Sequence, residues 1–75
     1  MTIVWQVDDN GAWRDYSESF SREAEQRLCD WLQYKIGAWQ IFDYKDGGQE
    51  YVIDFKRMIR MHFPSGAERR VRRVH

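Results

Sequence analysis

The sequence predicts an α+β domain, an antiparallel six-stranded half-barrel packed on one helix. Three observations carry that prediction. Turn signals stand at Asp9-Asn10-Gly11, Asp46-Gly47-Gly48 and Pro64-Ser65-Gly66, each between runs rich in branched and aromatic residues. Apolar residues recur at helical spacing in a single stretch, between Ser17 and Gly37. The chain has 75 residues, which is one domain's worth and no more, so residues 1–75 are read as a single unit.

Ile3 to Val7 alternates as a strand does, and Asn10-Gly11 is the favoured pair for a tight hairpin turn. Ala12 to Tyr16 returns, carrying Trp13. Trp5 and Trp13 are expected to face each other across this hairpin and form the core. Ser17, Ser19 and Ser21 are candidate starts of the helix. Phe20, Ala24, Leu28, Trp31 and Leu32 form its apolar stripe, and Gly37 is expected to end it. Ala38 to Tyr44 reads as a strand, Gly47-Gly48 as a turn, and Glu50 to Phe55 as the return. There Tyr51, Ile53 and Phe55 share one face, and Val52 and Asp54 the other. Lys56-Arg57 reads as a tight connection to a strand from Met58 to Phe63, and the last strand runs from Ala67 to Val74. The order is β-β-α-β-β-β-β, and one helix against a curved meander buries the stripe most economically.

Cys29 is the single cysteine, so no internal disulfide forms, and the expected setting is a reducing one, cytoplasmic or nuclear. Cys29 falls mid-helix and is expected to be a buried small hydrophobe. The four tryptophans are expected to supply much of the core. No apolar run approaches the roughly 18–20 residues of a membrane span, so no membrane partner is expected. The N-terminus lacks the basic lead and long apolar stretch of a signal peptide.

The net charge is zero, yet the charges are segregated. Residues 1–55 carry five basic and eleven acidic side chains, and residues 56–75 carry seven basic and one acidic. Six of the seven are arginine, the side chain suited to bidentate phosphate contact. This pattern predicts an anionic ligand held by the C-terminal third. A solvated basic edge strand that resists aggregation is the plainer alternative.

Catalytic chemistry has no visible carrier. The glycines sit in turns, no Cys/His cluster is present, and His62 and His75 are isolated. The serines are explained by capping, and the paired Asp8-Asp9 by turn chemistry. The expectation is a non-enzyme without catalytic residue, metal or cofactor.

Trp5, then Gly-Ala-Trp ending at Trp13, then Glu25 make a Trp-Trp-Glu frame. Tyr51-Val-Ile-Asp-Phe55, Met58 and the ending Gly66-Ala-Glu-Arg-Arg-Val-Arg-Arg-Val74 follow in order. This series resembles the WWE domain over essentially the whole chain. The resemblance implies a non-catalytic module of the kind found in Deltex-type and other ubiquitin ligases and in ADP-ribosyltransferases. Several such domains recognise poly(ADP-ribose) through its iso-ADP-ribose unit at the open end of the half-barrel. The implied partners are poly(ADP-ribose) or ADP-ribosylated proteins, with ubiquitination machinery reached through a parent chain.

Residue by residue, the resemblance makes Tyr51 a ligand-facing tyrosine and Arg69 a phosphate contact. It makes Trp5, Trp13, Glu25 and Met58 structural, with Glu25 expected to hold an arginine or a Trp indole N–H. Arg60 stands where the family often has a glutamine. Alternation places it on the face of Met58, projecting into the mouth of the half-barrel. Its charge needs a partner there, either a ligand phosphate or an internal acid such as Glu25. Val7 stands where strong readers often have an aromatic, a loss on the order of 1–3 kcal/mol of stacking. Arg14 stands where some have a second aromatic, and its guanidinium plane is also able to stack on a base. Ala24 is smaller than the family's usual aliphatic, and Trp31 and Trp39 are expected to supply the volume. Arg70 and Arg72 alternate away from Arg69 and act at long range. Two further readings stay open: a protein-interaction domain that has lost ADP-ribose binding, and general single-stranded nucleic-acid binding, the less expected of the two.

Overall fold

A computed structural model describes residues 2–75. The chain runs through β1 (Val4–Asp9), β2 (Ala12–Asp15), helix α1 (Glu18–Tyr34), a 3-10 helix (Gly37–Gln40), β3 (Ile41–Asp46), β4 (Gln49–Asp54), β5 (Ile59–Phe63) and β6 (Glu68–Val74). The strands form one antiparallel sheet in the order β2-β1-β6-β5-β4-β3. The sheet is open, with β2 and β3 at its edges. This is the expected architecture.

The two short hairpins follow from their turn residues. Asn10 (φ 54°) and Gly11 (φ 90°) are both left-handed, as are Gly47 (59°) and Gly48 (79°). Both turns therefore carry the right-handed twist of the flanking strands, closing the pairs Asp9↔Ala12 and Asp46↔Gln49. The β4–β5 connection is wider than expected, a turn from Phe55 to Met58. The Asp54 carboxylate organises it, with Oδ1 accepting from the Lys56 (2.9 Å) and Arg57 (3.3 Å) backbone N–H groups. Met58 is thereby taken out of β5 into the left-handed region (φ 53°), where its side chain packs against the core.

Ser17 caps α1, its Oγ accepting from the Phe20 N–H at 3.1 Å. The helix does not reach Gly37. It ends at a left-handed Lys35 (φ 56°), whose N–H donates to the Trp31 carbonyl at 2.9 Å. Lys35 fills the role expected of a glycine, and Gly37 instead opens the 3-10 helix. The strand expected from Ala38 consequently starts at Ile41.

Trp5, Val7, Ala24, Leu28, Phe42, Ile53, Phe55 and Val71 are the buried core. Ser21, read as a possible helix start, is buried one turn inside α1, where its Oγ accepts from the Trp5 N–H at 2.9 Å. That bond pins α1 to β1.

Several expectations are corrected. Trp13 does not face Trp5. β1 and β2 pair odd positions with even ones (Val7↔Arg14, Asp8↔Trp13), so two odd-numbered tryptophans lie on opposite faces. Trp13 lies on the outer face, with the Arg72 and Arg70 guanidinium groups 4.1 and 5.7 Å from its ring centre. Trp31 packs on the core, whereas Trp39 is exposed, so it does not supply the volume missing at Ala24. Leu32 is half-exposed because the stripe turns away from the sheet after Trp31. Cys29 is exposed, one position past the inward-facing Leu28.

Candidate functional site

Cross-strand partners share a face, so the ladders trace the concave surface. One row runs Phe42–Ile53–Arg60–Arg69, and the next runs Tyr44–Tyr51–His62. Helix α1 covers the first part of this surface. Beyond it lies an open cleft of about 420 Å³ whose walls include Val7, Arg14, Tyr16, Tyr51 and Arg60. The edges of the sheet curl towards each other there, and the Tyr16 and Tyr44 hydroxyls meet at 2.7 Å.

Tyr51 stacks on Tyr44 (5.3 Å between ring centres) and touches the His62 ring (5.3 Å). The His62 ring is held from both sides, by Ser65 Oγ at 2.6 Å and Gln49 Oε1 at 2.7 Å. Tyr51 is therefore fixed in orientation from the outer rim inward.

The Arg60 guanidinium lies 4.5 Å from the Tyr51 ring centre. No carboxylate of the described residues reaches it within ion-pair distance. Its Nε is buried and has no hydrogen-bond acceptor, the one such side-chain atom among the described residues. Burial works against the Arg60 charge, but the neighbouring Tyr16 and Tyr44 hydroxyls outweigh it, and its pKa lies above the ordinary arginine value. Arg60 is a cation at any working pH. Burial likewise raises both phenol pKa values, and the hydrogen bond between the hydroxyls works against this at Tyr16 and with it at Tyr44.

Glu25 does not serve Arg60. Its Oε1 accepts from the Trp5 indole Nε1 at 2.9 Å and from Arg73 Nε, and its Oε2 accepts from Arg73 Nη2 at 2.8 Å. Arg73 is the cross-strand partner of Trp5, which places its guanidinium against the same carboxylate. The bidentate grip raises the Arg73 pKa, although burial opposes it.

The other predicted ligand residues divide. Val7 and Arg14 line the cleft. Arg14 is tied by a 2.9 Å ion pair to Asp9. Arg69 sits beside Arg60 on the sheet but turns to the first hairpin, donating to Asn10 Oδ1 at 3.1 Å, and does not line the cleft. Three lining carboxylates, Asp9, Asp15 and Asp46, were not anticipated from the sequence. Asp9 was visible in principle, two residues beyond Val7 and so on the same face. Asp15 accepts from the Gln6 side-chain amide at 2.6 Å. Arg70 and Arg72 lie on the outer face, away from the cleft.

Residues 3–73 match the family model of the WWE domain. The chain is a WWE domain. No curated protein matches it. WWE domains are non-catalytic interaction modules. Among the described residues no helix is long and apolar enough to cross a membrane. No group of three metal-ligating side chains is found among them either.

Proposed function

We propose that this WWE domain reads an ADP-ribose ligand, the iso-ADP-ribose unit of poly(ADP-ribose) fitting best, on ADP-ribosylated proteins in the cytosol or nucleus. The observation that carries the reading is Arg60, a half-buried guanidinium that lines the cleft over the Tyr51 ring with no carboxylate within ion-pair distance. A phosphate in the cleft supplies the counter-charge that no carboxylate gives Arg60, and Tyr51 offers the adenine or ribose a ring already held in place. The carboxylates of Asp9, Asp15 and Asp46 accept hydrogen bonds from ribose hydroxyls and disfavour ligands that are little more than phosphate. ADP-ribose, with free ribose hydroxyls, therefore fits better than single-stranded DNA, which lacks the 2′-hydroxyl.

Calorimetric titration with iso-ADP-ribose tests this. Binding weakens with salt, and Arg60→Ala and Tyr51→Ala each weaken it roughly tenfold or more while circular dichroism stays native. Arg69→Ala has a smaller effect, because Arg69 must first leave Asn10. A folded sample that gives no heat up to about 1 mM ligand overturns the proposal. That result supports the second reading, a protein-interaction domain of a ubiquitin-ligase or ADP-ribosyltransferase chain that has lost the ligand. The acidic rim and the engaged Arg69 are the observations favouring it.

A further inference from the structure

A second concave surface shares no lining residue with the cleft. It is a groove of about 510 Å³ between α1 and the 3-10 helix. One wall is a single helical face, Glu23, Gln26, Arg27 and Asp30 at i, i+3, i+4 and i+7. The other wall contains Trp39 and Ile41, 43 % and 46 % exposed.

Five of the six exposed large hydrophobic side chains among the described residues fall between Leu32 and Ile41. Scattered singly such residues need no explanation, but concentrated in ten residues beside a groove they mark a contact surface. Trp39 meets Tyr34 edge-on at 5.8 Å, so the ring is held in place. The groove runs directly into β3, which is a sheet edge and pairs with β4 alone. Its outer side offers free backbone N–H and C=O groups to another strand.

The charges around the groove choose the partner. Arg27 is drawn over the Phe42 ring, 4.8 Å from its centre, and meets Glu23 only at 3.4 Å. Asp30 is bonded to the Gln26 amide at 3.0 Å and has no cation. The surface is therefore apolar with one uncompensated acid, Asp30, on its helical wall. A second copy does not supply the matching strand, because the chain's basic strand, β6, already has a neighbour on each side in the sheet.

We propose that this groove and the β3 edge dock an extended segment of a partner protein, an apolar side chain flanked by lysines or arginines. The apolar residue packs on Trp39 and Ile41, the cations on either side of it turn to the α1 face of the added strand and meet Asp30, and the backbone extends the sheet. The reading is independent of any ligand in the cleft.

The test uses two fluorescent peptides of about eight residues, alternating valine with lysine in one and valine with glutamate in the other, titrated by polarisation. The lysine peptide binds about tenfold or more tighter and shifts backbone amide resonances of Phe42 to Lys45. Trp39→Ser and Asp30→Lys, both at exposed or half-exposed positions, weaken it several-fold while Arg60→Ala does not. Equal binding of the two peptides, or none at about 1 mM, overturns the proposal. So does indifference to both groove substitutions, or sedimentation showing a dimer that Trp39→Ser dissolves.

Discussion

Glu25→Ala removes the one carboxylate that joins α1, β1 and β6. The side chain accepts the indole N–H of the fully buried Trp5 and both ends of the Arg73 fork. A buried donor deprived of a charged acceptor costs about 1.5–3 kcal/mol. The Arg73 pair is worth less than a fully buried one, because its side chains are 33 % and 18 % exposed, so it adds about 1 kcal/mol. A loss of about 3 kcal/mol is set against a total of roughly 4–11 kcal/mol for a domain of this size. It lowers the melting temperature by about 12–24 °C. Urea unfolding, followed by tryptophan fluorescence and by circular dichroism, measures it. Glu25→Gln keeps an acceptor for the indole and loses mainly the ionic pair, so it costs about 1 kcal/mol. The reasoning fails if Glu25→Ala stays within about 0.5 kcal/mol of the parent chain, or if Gln is as damaging as Ala.

Trp5→Ala costs about 3–5 kcal/mol, whereas Trp13→Ala, which loses only cation–π stacking on the outer face, costs about 1 kcal/mol; denaturant melts of the pair compare them. In alkali, the raised phenol pKa values of Tyr16 and Tyr44 mean a contribution to stability fully present below the unfolded value of about 10. It is lost as pH rises through the folded values. Phenolate absorbance at a pH of about 11 is thus lower in the folded chain than in urea, and Tyr16→Phe with Tyr44→Phe removes the difference. In acid, burial pushes the Asp54 pKa up but hydrogen bonds from Gln40, Arg57 and Lys56 outweigh it and hold it low. Its contribution is present above the unfolded value of about 3.9 and drains away as pH falls through the folded one. Asp54→Asn therefore flattens the acid limb of the stability–pH profile.

Much of this was legible in the sequence because the decisive signals were local. Asn10-Gly11 and Gly47-Gly48 fix two turns, and the turns fix register. The face of Trp13 was legible too, since a two-residue turn closing on Asp9 and Ala12 forces odd positions opposite even ones. Lys35 in place of Gly37 was not, because helix length was decided by which side chains still reach the sheet. The inward face of Arg60 was reached by alternation from Met58, which itself lies outside β5; in the structure that face is set by the pairing of Arg60 with Ile53 and Arg69. The choice of Arg73 over Arg60 as Glu25's partner was not legible, because it rests on the pairing of β1 with β6, nearly the whole chain apart. The Arg69 bond to Asn10 is similarly non-local, and it separates two arginines that the sequence pattern had placed together.

The position of β6 in the middle of the sheet also dictates an order of events. The β1-β2 hairpin and the β3-β4-β5 meander share no ladder, and only β6 lies between them. Its first half pairs with β5 through Glu68 to Arg70, and its second half with β1 through Val71 to Val74. A ribosome making this chain releases both halves before the strand that joins them. Until then the two pieces share no backbone ladder and meet only through the helix and side-chain contacts such as Tyr16 with Tyr44, with the edges of β1 and β5 unsatisfied. Completion is a single late insertion that closes the longest loop in the molecule. It also brings Arg73 to Glu25 and Arg69 to Asn10, so the ion pair and the hydrogen bond that tie β6 to the first part of the chain form with the last ladder.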